Sequence, residues 1–237
     1  MQRLCRAVLA LCMAGWSGLL SAAALQISPV LVDIAPQQAA SGIMLRNPGT
    51  TPVYGQVRIY RWEQANGDDV LTPTEEVQAS PPIIQVPPGG EQLVRLVRAS
   101  KELAPLERGY RLVIDEIPDP ATPGINGVVL RLRYSVPVFV AGATPRPEPE
   151  LAWNATRAGG DWVLRLANTG TRYAQVAALQ VLNSAGKPVA GIEGLVGYAL
   201  AQREREWRIP AKQNASGPVR IKALINGDVV TVTPRVD

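Results

Sequence analysis

Short stretches in which apolar and polar residues alternate recur along most of the chain, and turn-forming residues separate them. Alternation with a period of two is typical of β-strands that bury one face. No stretch shows a convincing helical period, since the best candidate, residues 101–108, is short and contains Pro105. The pattern therefore predicts an all-β protein.

The first part of the chain predicts an immunoglobulin-like β-sandwich. Turn sequences occur at residues 47–49 (Asn-Pro-Gly), 66–68 (Asn-Gly-Asp) and 87–90 (Pro-Pro-Gly-Gly). The candidate strands are residues 25–27, 30–34, 42–45, 53–62, 92–97, 109–116 and 128–140. About seven strands within about 120 residues are typical of such a sandwich.

A second β domain follows a proline-rich linker. Pro145, Pro147 and Pro149 mark a stiff linker or a sharp domain junction. The alternation then restarts in residues 162–166, 175–182, 206–209, 219–225 and 229–233. We therefore expect two domains, residues 24–143 and residues 144–237, and we find no internal sequence repeat.

The first 23 residues predict a cleaved signal peptide. Arg3 and Arg6 give a positive start, residues 7–20 are apolar, and small residues allow cleavage after Ala23 or Ala24. A retained transmembrane anchor is the alternative, but the apolar run is short for a membrane span. We expect an exported protein that does not insert into the membrane after cleavage.

Cleavage of this segment would also remove every cysteine of the chain. Cys5 and Cys12 both lie within it. A lipid anchor at Cys12 is a weaker interpretation, because Leu11 stands where a small residue would be needed. The exported fold must then be stabilised by burial of its core, without a disulfide.

The composition excludes most common catalytic chemistry. The chain contains no His, which removes the usual general base and every Ser-His-Asp, Cys-His or HExxH site. No spacing fits a calcium loop, a P-loop or a dinucleotide fingerprint, so we expect no metal and no cofactor. Asp115, Glu116 and Asp119 are close in sequence, but we assign them to a turn and to interdomain contacts rather than to an enzyme. The net charge of +4 is too small to indicate a nucleic-acid-binding protein.

Residues 128–140 form the most informative segment. One face would carry Val128, Leu130, Leu132, Tyr134, Val136 and Val138, and the other Val129, Arg131, Arg133, Ser135, Pro137 and Phe139. Because it contains a proline, the strand belongs at a sheet edge or ends its pairing there. Either the apolar row fills the protein's own core, or an exposed edge donates the row to a partner by β-augmentation.

Several blocks resemble the periplasmic pilus-assembly chaperones of the chaperone–usher pathway. Residues 87–96 (Pro-Pro-Gly-Gly-Glu-Gln-Leu-Val-Arg-Leu) and 110–118 (Tyr-Arg-Leu-Val-Ile-Asp-Glu-Ile-Pro) carry the strongest likeness. Residues 197–200 (Gly-Tyr-Ala-Leu) and 207–210 (Trp-Arg-Ile-Pro) resemble the second-domain pattern. The ending Tyr-Ser-Val-Pro-Val-Phe-Val at 134–140 resembles the archaic, spore-coat-like branch.

This resemblance implies two immunoglobulin-like domains arranged as a boomerang. Such a chaperone lends a strand to a pilus (fimbrial) subunit that lacks its own last strand, then delivers the subunit to an outer-membrane usher. By alignment, the donor residues would be Val128, Leu130 and Leu132, with Tyr134 and Val136 nearer the cleft. The resemblance leaves open whether the free chaperone self-associates.

One departure from the family pattern concerns the anchor for the subunit's terminal carboxylate. The resemblance implies an Arg on the first strand and a Lys on the donor strand, but Leu31 and Pro137 occupy those places. Guanidinium groups suit carboxylates. The alternative candidates, each of which could instead lie on a solvated strand face, are Arg95, Arg98, Arg131 and Arg133.

A different class of function also fits a secreted immunoglobulin-like protein. It could be adhesive or carbohydrate-binding, with tryptophans stacked on a sugar. We favour packing in the cores or at the domain junction for these residues, which are Trp62, Trp153, Trp162 and Trp207.

Overall fold

The computed structural model describes residues 25–119, 130–144, 147–211 and 217–235, so the predicted signal peptide lies outside the described residues. Within these ranges the chain forms strands and no helix, which confirms the all-β prediction. The strands are β1 (Gln26–Ser28), β2 (Val32–Ile34), β3 (Ala40–Arg46), β4 (Val53–Ala65), β5 (Asp68–Pro73), β6 (Val77–Ser80), β7 (Ile83–Val86), β8 (Glu91–Arg98), β9 (Arg108–Ile117), β10 (Arg133–Val140), β11 (Leu151–Ala158), β12 (Asp161–Asn168), β13 (Ala174–Leu182), β14 (Pro188–Ala199), β15 (Arg203–Ile209), β16 (Arg220–Ile225) and β17 (Asp228–Val232).

Strands β1 to β10 form an N-terminal sandwich of two sheets. One sheet has the order β1-β3-β8-β6, and the other has the order β2-β10-β9-β4-β5, with β7 also paired to β4. Alternate residues of these strands point inward, as the period of two requires. The core they form includes Ile34, Ile43, Leu45, Leu96, Leu112, Ile114 and Val138, together with Tyr110.

Strands β11 to β17 form a C-terminal sandwich with the sheet orders β11-β12-β15 and β14-β13-β16-β17. Its core combines three tryptophans with small and branched residues. The short strands β5 to β7, the strand β11 and the long strand β14 were not expected from the sequence. In β14, Gly191, Gly194 and Gly197 obscure the alternation, because glycine has no side chain to mark a face.

Each sandwich closes one turn with a buried asparagine. The side-chain amide of Asn47 donates to a carbonyl four residues later in the turn and to Val86 O, at 2.8 and 3.0 Å. Asn168 makes the same pair of bonds, the distant one to Ala199 O, at 2.7 and 3.0 Å. The sequence has no extended internal repeat, yet residues 47–50 (Asn-Pro-Gly-Thr) and 168–171 (Asn-Thr-Gly-Thr) form matching turns.

An aromatic cluster joins the two sandwiches. It contains Trp62 and Phe139 from the N-terminal sandwich and Tyr173, Tyr198 and Leu200 from the C-terminal one. The rings of Phe139 and Tyr173 stack with their centroids 3.7 Å apart. The donor-strand candidate β10 therefore ends in the junction between the sandwiches.

The buried side chain of Gln64 adds hydrogen bonds across the same junction. Its amide nitrogen donates to Tyr198 O at 2.7 Å, and its oxygen accepts from Leu200 N at 3.0 Å. The packing interpretation of the tryptophans is also confirmed, because all four are buried: Trp62, Trp153, Trp162 and Trp207.

Candidate functional site

Strand β10 lies at an edge of its sheet for most of its length. It pairs antiparallel with β9 from Arg133 to Val140. On its other side it pairs with β2 only from Val138 to Val140. No described strand covers that side at residues 133–137, so this part of β10 is an open edge.

The direction of the backbone groups along the open edge follows from one hydrogen bond. Glu116 N donates to Leu132 O at 3.0 Å, so the backbone groups of residue 132 face β9. Every second residue after it, such as Tyr134 and Val136, faces β9 as well. Because successive residues of an antiparallel strand alternate between their two neighbours, the N–H and C=O groups of Arg133 and Ser135 point to the open edge. Pro137 adds no donor to this edge, since proline has no N–H, and its carbonyl lies where the pairing with β2 begins.

The apolar row of this segment passes from the core into solvent. Val136, Val138 and Val140 lie in the core of the N-terminal sandwich, and Val136 is only 4% exposed. Tyr134 packs against that core while half-buried, and Leu130 is 82% exposed. The row therefore fills the protein's own core at one end and is exposed at the other.

The structure thus narrows the set of residues that could contact a partner. Leu130, Leu132 and Tyr134 are accessible at least in part, whereas Val136 is a core residue and is not free to enter a partner. Val128, which was expected in the same row, lies outside the described residues.

Glu116 fixes the start of β10. Its carboxylate accepts hydrogen bonds from Leu132 N at 3.2 Å and from the Tyr134 hydroxyl at 3.0 Å, while Leu25 N donates to that hydroxyl at 2.8 Å. Burial and the bond to Glu116 raise the pKa of Tyr134 to about 12. Asp115, on the other face, forms ion pairs with Arg58 and Arg133. Asp115 and Glu116 thus lie within strand β9, and all of these partners belong to the N-terminal sandwich, so the assignment of these two residues to a turn and to interdomain contacts was wrong.

The four candidate cations do not lie together. Arg95 and Arg98 belong to β8, in the sheet that does not contain β10. Arg98 is already bound to four backbone carbonyls, at 3.1–3.3 Å, in the segments before β3 and after β8. It was proposed as a carboxylate anchor, but its donors instead tie these two loops together. Arg131 and Arg133 are exposed at the start of β10.

Sequence reasoning missed Arg111, which lies directly opposite Pro137 in the β9–β10 ladder. Its guanidinium carbon is 3.6 Å from the ring centroid of Trp62 and 5.5 Å from that of Tyr198. Burial at the junction lowers the pKa of this guanidinium. Leu112 points into the core, so its neighbour Arg111 must point to the outer face of the strand. This alternation is the sequence signal that could have identified Arg111.

Leu31 packs against the aromatic cluster and Pro137 is buried, so apolar side chains fill both places at which the resemblance implied cations. Arg111 supplies a cation at the same level of the sheet, from the neighbouring strand. A half-buried guanidinium stacked on aromatic rings retains its in-plane N–H groups for an anion.

An acidic group also lies at the junction. Glu107 accepts a hydrogen bond from Tyr173 N at 2.8 Å and lies 4.0 Å from Arg172 Nε. Burial raises the pKa of Glu107 to about 7, although the bond from Tyr173 and the charge of Arg172 act in the opposite direction. The carboxyl of Glu107 is thus part of the contact that joins the sandwiches.

The described residues lack two further kinds of feature. They include no helix long and apolar enough to cross a membrane. Nor do their Asp and Glu side chains form a group of three or more that could hold a metal ion.

Two β-sandwiches joined at an aromatic junction, with one strand edge left open beside an exposed apolar row, place the chain in the two-domain immunoglobulin-like class. The chain belongs to the pili and flagellar-assembly chaperone family, because the model of the family's PapD N-terminal domain matches residues 24–145. No curated protein sequence is significantly similar to it.

Solved structures share the fold over almost the whole chain. A chain of the CsuC–CsuE chaperone–tip adhesion subunit pre-assembly complex, from archaic chaperone-usher Csu pili of Acinetobacter baumannii, is 22% identical, with a TM-score of 0.70 over 91% of this chain and 100% of that one. The Escherichia coli chaperone DraB is 19% identical, with a TM-score of 0.61 over 91% and 97%. A chain of the SafA pilin–SafB chaperone complex of Salmonella enterica is 15% identical, with a TM-score of 0.62 over 89% and 96%.

Proposed function

We propose that this protein binds pilus subunits in the periplasm by donor-strand complementation and delivers them to an outer-membrane usher. One observation carries the proposal: a single apolar row leaves the core at Val136 and reaches solvent at Leu130, beside an open strand edge. An exposed edge of this kind favours aggregation unless a partner covers it. Membership of the chaperone family and the predicted signal peptide support the periplasmic location.

The two parts of the site would act together on a subunit that lacks a strand. The backbone groups of Arg133 and Ser135 would bond to the subunit's sheet, and Leu130, Leu132 and Tyr134 would enter its groove. Burial of each leucine stabilises the complex by about 1.5–3 kcal/mol. Val128 would extend the row by one more residue.

Arg111 is the structure's best candidate to bind the terminal carboxylate of the subunit. Its half-buried side chain lies opposite Pro137 and its guanidinium packs on the rings of Trp62 and Tyr198. A carboxylate there would gain a charge-assisted bond in a site with little water. Arg131 and Arg133 remain candidates at the other end of β10. Arg98 is a weaker candidate, because its guanidinium already donates to four loop carbonyls.

We also propose the domain limits 24–143 and 144–237. The partition of the strands supports them, since β1 to β10 pair among themselves and so do β11 to β17. An adhesive or sugar-binding role has no such support, because the tryptophans that it would use are buried.

Subunit capture tests the proposal. The chaperone would be co-expressed in a bacterial periplasm with the pilin-like subunit encoded beside its gene, and copurified subunit would be measured. Leu130→Glu with Leu132→Glu should abolish capture, because two charges would enter an apolar groove. The matched control is Leu195→Glu with Val229→Glu, which changes two exposed apolar residues of the C-terminal sandwich.

The native protein and the control should capture equal amounts of subunit. All three proteins should unfold at similar temperatures, since the substituted side chains lie outside the buried cores. Undiminished capture by the Leu130 and Leu132 variant would refute the donor-strand role.

A further inference from the structure

Charged side chains form a row across three strands beside the open edge. Arg58 on β4 and Arg133 on β10 both bind the carboxylate of Asp115, on the β9 strand between them. One carboxylate therefore neutralises only one of the two guanidinium groups that it binds, so the row of Arg58, Asp115 and Arg133 carries a net positive charge. The side chain of Asp115 is 17% exposed and that of Arg133 is 69% exposed, so the cation is the group presented to a partner.

The protonation state of Asp115 does not change this balance near neutral pH. Burial acts to raise the pKa of Asp115, but the hydrogen bonds from Arg133 and Arg58 outweigh it and hold the pKa below the usual value. The bond between Arg133 and Asp115 uses Nε, which is one of the five N–H donors of a guanidinium. Its planar fork suits a second carboxylate.

The other carboxylates near β10 have partners of their own. Asp33, on the same outer face of β2, lies 3.5 Å from Arg172. Glu116 belongs to the inner row and holds Leu132 N and the Tyr134 hydroxyl. The excess positive charge of the row formed by Arg58, Asp115 and Arg133 is therefore left for a group that comes from outside, and the exposed Arg133 presents it beside the open edge.

We infer that the strand added at the open edge of β10 carries acidic side chains on its outer face, with one opposite Arg133. The inference rests on the proposed function and specifies the chemistry of the partner. Adjacent strands lie about 4.7–4.9 Å apart, and residues opposite each other have Cβ atoms about 4.5–5.5 Å apart. A carboxylate at that position reaches the guanidinium of Arg133, whereas a lysine or arginine meets a like charge.

Two synthetic strand peptides test the inference against the full chain. Both carry valine at the inner-face positions and have acetylated and amidated ends, and their outer-face residues are Glu in one peptide and Lys in the other. Affinity is measured at low and at high salt. The Glu peptide should bind about two- to fivefold more tightly at low salt, and the difference should shrink at high salt because salt screens exposed charges.

Variants of Arg133 connect the preference to this residue. Arg133→Gln should remove the preference for the Glu peptide, and Arg133→Glu should reverse it. Arg165→Glu is the matched control, since Arg165 is an exposed arginine of β12 in an ion pair with Glu206 at 3.0 Å. The control should keep the native preference.

The outcomes separate this inference from the proposed function. Equal binding of the two peptides to the native chain at low salt would overturn the inference and leave strand addition intact. Binding of neither peptide would overturn strand addition at this edge and the inference with it.

Discussion

The two sandwiches are alike at their turns and differ at one edge. Each closes a turn with a buried asparagine, Asn47 in one and Asn168 in the other. In the C-terminal sandwich, β12 has β11 along one side, and β15 pairs with the other side from Trp162 to Asn168. In the N-terminal sandwich, β10 has β9 along one side, but β2 reaches only its last three residues.

On the proposed function, coverage by neighbouring strands, rather than the residue pattern, separates a structural strand from a binding strand. Trp162, Leu164 and Leu166 of β12 alternate and are all buried. The apolar row that runs from Leu130 into β10 alternates in the same way, yet it is exposed at Leu130 and buried at Val138. The proposed site therefore lies where an ordinary strand pattern continues beyond the strands that would cover it.

The largest effect is expected from a charge placed at the covered end of the row. Val138→Asp should lower the free energy of unfolding by about 3–5 kcal/mol, because an unpaired carboxylate would enter a core without water. Leu130→Asp, at the open end, should change it by less than about 0.5 kcal/mol. Urea denaturation of both variants measures the contrast. Similar losses at the two positions would show that Leu130 is covered in the free protein.

A smaller effect is expected from the two turn asparagines, and it should be the same in both sandwiches. Asn47→Ala and Asn168→Ala each remove bonds to two carbonyls, one in the turn and one on a distant strand, which should cost about 1–3 kcal/mol. Urea denaturation monitored by tryptophan fluorescence compares the two variants. A loss of stability in only one of the two variants would show that the two turns are not equivalent.

Much of the fold could be predicted because alternation and turn residues are local properties of the sequence. Strand β9 and the hairpin turn at Asn66 and Gly67, where φ is 54° and 80°, follow directly from such signals. Strand β14 was missed because its glycines carry no side chains. The repeated asparagine turn was missed because four residues are too few to stand out before the distant carbonyls are known.

The candidate site could be predicted only in part. The period of two identifies the row with Leu130 and Leu132, but it cannot show that Val136 is covered, because the strands that cover it come from distant parts of the sequence. The use of Arg98 to bind loop carbonyls is equally invisible in the sequence. Arg111 required the pairing of β9 with β10, which places it opposite Pro137.

Amide hydrogen exchange along β10 tests strand addition most directly. The exchange of single amides would be followed by NMR in the free chaperone and in its complex with a pilus subunit. The account predicts that protection rises at Arg133 and Ser135, whose N–H groups face the open edge, and changes little at Tyr134, which already bonds to β9. Unchanged exchange at Arg133 and Ser135 in a complex that has formed would contradict it.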